Sequence, residues 1–129
     1  MTQSSVAGST IVVGYSSKPE GRAALARAIS EGSMRGSRLL VIRTSPDGEA
    51  PELTAELERS GLSHEIRLAS DSIDPAEELL KTAERENAEF IVIGLRRRSP
   101  VGKLLLGSNA QRILLDAGCP VLAVKADPS

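Results

Sequence analysis

Three short runs in this chain are apolar throughout: Ile11–Tyr15 (IVVGY), Phe90–Ile93 (FIVI) and Val121–Val124 (VLAV). A fourth, Arg38–Thr44 (RLLVIRT), is apolar between its arginines. A strand with one wet face alternates polar and apolar residues. A strand buried on both faces does not. A fifth segment, His64–Ala69, alternates enough to be a strand at or near a sheet edge. The stretches between these runs carry helical spacing instead. Leu25, Ala28, Ile29 and Gly32 form one stripe, Leu53 and Leu57 a second, and Ala76, Leu79, Leu80 and Ala83 a third. Ser108–Asp116 makes a last helix, stopped by Gly118 and Pro120. Strands that alternate with helices and hide both faces imply a parallel sheet covered on two sides. The expected fold is α/β: one doubly wound, five-stranded parallel sheet of order 3-2-1-4-5.

Helix ends can be read from local chemistry. Ser17 with Glu20 predicts a capping box, with Pro19 in the first turn. Asp74-Pro75-Ala76-Glu77 predicts another, with Asp74 as the cap. Gly61 fits a left-handed helix end. Residues 1–9 are small and polar and read as a flexible arm; 10–126 read as a single domain.

Charge excludes several partners. Sixteen Lys and Arg face seventeen Asp and Glu, so no broad basic field invites nucleic acid. Tyr15 and Phe90 are the only aromatics, which leaves no stacking platform for single strands. The single cysteine, Cys119, rules out an internal disulfide and suits a reducing compartment. The opening MTQSSVAGST lacks the apolar core of a signal peptide, and no apolar run approaches a membrane span. A cytoplasmic protein without membrane or nucleic-acid partners is expected.

The richest chemistry lies in Ile91–Ser108, IVIGLRRRSPVGKLLLGS. A strand ends at Gly94, a basic loop follows, and Gly107-Ser108 opens a helix. Unpaired amides and the positive end of the helix dipole make such a place an anion site. Arg96, Arg97, Arg98 and Lys103 add cations. Three adjacent arginines in a loop cannot all face one ligand, and Arg97 is the one placed near phosphate. Each signal has a plainer reading. Gly94 can be a simple turn, Ser108 an N-cap, Ser16 a turn residue and Cys119 a small buried apolar side chain. His64, with no ligand-type neighbours in sequence, reads as a surface strand residue rather than a metal ligand.

The pattern VVGYSSKPEGRAAL, the IVIG strand end, LLLGSNAQRIL and the final CPVLAVK resemble the universal stress protein family. The likeness runs from Ile11 to Lys125. It implies the doubly wound fold and, in many members, ATP bound through Gly, two residues, Gly, nine residues, then Gly-Ser or Gly-Thr. Gly94, Gly107 and Ser108 match that motif, with Asn109 following, while Arg97 stands at the middle glycine. Such members also carry an acidic residue after the first strand that contacts the nucleoside. Ser16 stands at that position. The resemblance thus implies an adenine nucleotide, ATP or AMP and possibly Mg²⁺, held by Gly94, Arg97, Gly107, Ser108 and Asn109. Ser16 and Val41 would border the nucleoside, although Val41 can equally be core.

No triad, metal cluster or paired-carboxylate site is visible, so regulation by binding, with at most slow ATP hydrolysis, is expected. Asp47 and Glu49 follow the second strand and read as a solvated turn. The last strand, Val121, Leu122, Ala123 and Val124, would form an apolar sheet edge. Pairing with its twin in a homodimer covers that edge, and family members often do this. The two departures from the motif leave a second reading: a nucleotide-free dimeric module of the same fold that binds a protein partner not yet identified.

Overall fold

A computed structural model describes residues 9–44, 51–69, 74–96 and 106–126. Among these residues nine elements follow one another: β1 (Thr10–Tyr15), α1 (Pro19–Arg35), β2 (Arg38–Arg43), α2 (Pro51–Ser60), β3 (His64–Leu68), α3 (Pro75–Arg85), β4 (Phe90–Leu95), α4 (Ser108–Asp116) and β5 (Val121–Lys125). All strand pairs are parallel, and the order is β3-β2-β1-β4-β5. The expected topology is therefore the observed one. Val13 lies beside Val41 on β2 and Val92 on β4, in the middle of the sheet.

The continuous apolar runs have a simple cause: each face of the sheet has its own core. Ile11, Val13, Leu39, Val41 and Val92 pack against Ala24, Leu25 and Ala28 of α1 and Leu53 and Leu57 of α2. Val12, Leu40, Ile42, Ile91 and Ile93 pack against Ala76, Leu79 and Ala83 of α3 and Ile113 of α4. β3, by contrast, is half-buried at His64, Ile66 and Arg67 and exposed at Glu65 and Leu68, and forms the edge expected for it.

Helix starts depart from the local reading. α1 is capped by the backbone of Lys18, with Pro19 in the first turn and no side-chain cap, so the Ser17–Glu20 box is not formed. The helix also runs past Gly32 to Arg35 before Gly36, at φ 71°, ends it. Asp74 occupies the N-cap of α3, but its side chain makes no capping hydrogen bond. Its carboxylate accepts from Arg112 Nη1 at 3.3 Å, and Glu77 accepts from Nη2 of the same guanidinium. A charged donor thus outcompetes the backbone amides, and the bridge joins α3 to α4. At α4 the cap is Gly107 and Ser108 is the first helical residue, one position later than the cap role expected for it.

Candidate functional site

The sheet order reverses between β1 and β4. The chain leaves β1 for α1 on one face and leaves β4 for α4 on the other. Such a divergence opens a crevice at the carboxyl ends of the strands, and a cavity of about 220 Å³ lies there. Its floor is Gly14 at the end of β1 with Ile93 and Gly94 at the end of β4. Ser16, Glu20, Gly21 and Thr44 supply a side with several polar groups. Pro75, Ala76 and Leu79 of α3, with Ala110 and Ile113 of α4, supply an apolar side, and Asn109 stands at the first turn of α4. An apolar wall facing a few convergent polar groups is the usual make-up of a small-molecule site.

Each glycine has its own reason. A Cβ on Gly94 would lie 1.8 Å from the carbonyl oxygen of Glu20. One on Gly21 would lie 2.2 Å from the amide nitrogen of Ser16. These two positions let the first turn of α1 rest directly on the end of β4 and on the loop after β1. Gly94 is thus required by helix–strand packing, which the sequence reading had weighed only as a phosphate contact or a turn. Gly107 is different. Its φ is −67°, which any residue adopts, and no described atom lies within 4 Å of a Cβ placed there. Neither backbone conformation nor packing with the described residues explains a glycine at this helix start.

The first amide that α4 uses internally is that of Gln111, which donates to Gly107 O at 3.0 Å. The amides of Ser108, Asn109 and Ala110 precede it and have no carbonyl of their own helix to meet. They lie beside the cleft, as Asn109 and Ala110 line it. Of the residues singled out from the sequence, Ser16, Gly94 and Asn109 meet in the cleft. Gly107 and Ser108 adjoin it through the start of α4. Val41 does not join them: it is fully buried on the opposite face of the sheet, among the core residues against α1 and α2. Arg97, Arg98, Lys103, Asp47 and Glu49 lie outside the described residues. Arg96 is exposed.

Three contributors escaped the sequence reading. Glu20 had been assigned to a cap. Thr44 reads in sequence as the end of a strand, yet its Oγ1 donates to Tyr15 O at 3.1 Å and ties β2 to the cleft. The α3 wall follows from helical spacing, but nothing local says that Ala76 and Leu79 also face a hollow. Away from the cleft, His64 Nδ1 lies 2.8 Å from Leu62 O, a local strand-end contact. Cys119 is half-buried rather than buried as expected, packed against the core of α3 and α4, and that burial pushes its thiol up.

Comparison with known proteins places this geometry. The model of the Universal stress protein family matches residues 9–125. The chain belongs to the universal stress protein family. A universal stress protein of Mycolicibacterium smegmatis is 48% identical over 126 residues, covering 89% of this chain and 96% of that protein. Among solved structures, a universal stress protein from Archaeoglobus fulgidus superposes with a TM-score of 0.74 at 27% identity, covering 92% of this chain and 98% of that one. A universal stress protein from the same organism in complex with dAMP shares the fold at 22% identity and a TM-score of 0.65, covering 93% of this chain and 99% of that one. No described helix is long and apolar enough to cross a membrane.

Proposed function

We propose that this universal stress protein domain binds an adenine nucleotide, ATP or AMP, as a regulatory signal in a stress response rather than as a substrate for fast chemistry. The observation that carries the reading is the start of α4. Its amides are unused by the helix, its glycine is unexplained by the described packing, and it opens onto a cleft with an apolar wall. Anionic oxygens suit those amides and the helix dipole. In this assignment Gly107, Ser108 and Asn109 hold phosphate, Arg97 adds a guanidinium that can pair two phosphate oxygens, and Mg²⁺ travels with the phosphates of ATP. Gly94 seats α1 and lies in the cleft floor, where its backbone can also meet the phosphates. Ser16 borders the nucleoside. The relative that binds dAMP has the same fold and supports the choice of an adenine nucleotide.

The test is calorimetric titration with ATP and Mg²⁺, with a Gly107→Asp variant beside the parent. Saturable binding that the variant loses is expected, because a carboxylate at that helix start repels phosphate. A well-folded protein that gives no heat at millimolar ATP would sink the reading. The arginine at the middle glycine of the motif favours the nucleotide-free alternative, and that outcome would leave the domain as a partner-binding dimer.

The dimer contact in either case is assigned to β5. The two sheet edges differ in kind. β3 exposes Leu68 but also carries His64, Glu65 and Arg67, with Arg67 paired to Glu65 and Glu86, and charges on an edge resist pairing. β5 carries Val121, Leu122, Ala123 and Val124, all half-buried. A second copy related by a two-fold axis would complete their burial.

A further inference from the structure

Glu20 is the second residue of α1 and lines the cleft with Ser16 and Gly94. Its Oε1 is shielded from solvent and has no hydrogen-bond partner among the described residues. An acceptor buried without a donor is costly, more so in a carboxylate. The plainest structural role for this side chain, a capping box with Ser17, is not realised. An acidic residue in a first helical turn does favour the helix dipole, but that role needs no shielded oxygen in a cavity. A group held at a cost beside a ligand cleft points to a partner that arrives with the ligand.

We propose that Glu20 reads the sugar of the bound nucleotide, its carboxylate accepting hydrogen bonds from the ribose hydroxyls. The inference rests on the nucleotide reading above and adds a specificity residue to it. An ionised carboxylate only accepts hydrogen bonds, so it must face the part of the ligand that donates. Phosphates accept and are anionic, and are turned away toward the start of α4. The base offers an amino group, but a flat base suits the apolar wall of Ala76, Leu79 and Ile113. The ribose diol offers two donors and suits the polar side of Ser16, Glu20 and Thr44. Because Oε1 is shielded, the side chain turns about its own torsions when the hydroxyls arrive, and the lone acceptor gains its donors. A site built this way rejects a ligand that lacks the hydroxyl, since the polar group is then left unpaired.

The experiment titrates the full chain and its Glu20→Gln and Glu20→Ala variants with ATP and with 2′,3′-dideoxy-ATP. The parent is expected to prefer ATP by about ten-fold, a hydrogen bond to a charged group. Glu20→Ala should lose that preference by weakening ATP while leaving the dideoxy ligand unchanged. Glu20→Gln, which keeps an accepting oxygen without the charge, should fall between. If the variants weaken both ligands equally or neither, Glu20 does not read the sugar, although the nucleotide reading stands. A preference that follows the 6-amino group, tested with ITP, would overturn the sugar assignment in the same way. If the parent binds neither ATP nor the dideoxy ligand, the nucleotide reading falls and this one falls with it.

Discussion

Gly94 and Gly107 belong to one sequence motif, yet packing among the described residues accounts only for Gly94. Adding a methyl group at Gly94 drives it against the backbone carbonyl of Glu20, and neither main chain can rotate away as a side chain would. Gly94→Ala should therefore destabilise the fold by roughly 1–3 kcal/mol or more, seen as a fall of several degrees in melting temperature. Gly107→Ala should leave the melting temperature of the ligand-free protein nearly unchanged while weakening ATP. Equal melting temperatures for the two variants would refute this division. Val41 shows why residue roles were harder to read than strands. In a run such as Leu39–Ile42 every side chain is buried, so hydropathy does not say which face a residue takes. Val41 turned out to share its face with Val13 and Leu39, away from the cleft.

At the scale of elements, strands and helix spans were legible because burial on both faces and helical spacing leave distinct marks. Helix starts were not. The sequences SKPE and DPAE both read as capping boxes, but Asp74 and Glu77 meet Arg112, a residue 38 and 35 positions away. Local patterns cannot register a competitor that arrives through the fold. α1 carries a similar device at its far end. Glu31 is 7% exposed and accepts from Arg27 Nε at 3.0 Å and Arg35 Nε at 3.1 Å. The hydrogen bond from Arg27, then that from Arg35, hold its carboxyl below the usual range, against the opposing effect of burial. A depressed folded-state pKa contributes stability above the unfolded value of 4.5 and loses it as pH falls through the folded value. Urea melts should thus show Glu31→Gln to be less stable than the parent near neutrality, with the gap narrowing below pH 4.5. A gap of constant size down to about pH 3 would show that the contribution is not ionic.

Across the whole molecule, the unequal edges carry a prediction of assembly. Ala123→Arg puts a charge into β5, and the protein should then elute as a monomer in size-exclusion chromatography with light scattering. The matched change on the other edge, Glu65→Lys, should leave the parent's state unaltered. A parent that is already monomeric at high concentration would end the dimer assignment. The topology was the most legible property of this chain, because five strands alternating with four helices, as the described residues have them, allow few arrangements. The cleft was half legible: Gly94 and Asn109 stand in a readable motif, whereas Glu20, Gly21, Thr44 and the α3 wall reach it only through the fold. The sheet also partitions the interior. One core lies against α1 and α2 and the other against α3 and α4, and the strands stand between them. The cleft draws its apolar wall from the second core alone. Glu20 and Gly21 reach the same cleft from α1 on the other face, so a ligand there would rest on both halves of the interior at once, and its arrival would be felt on each side of the sheet.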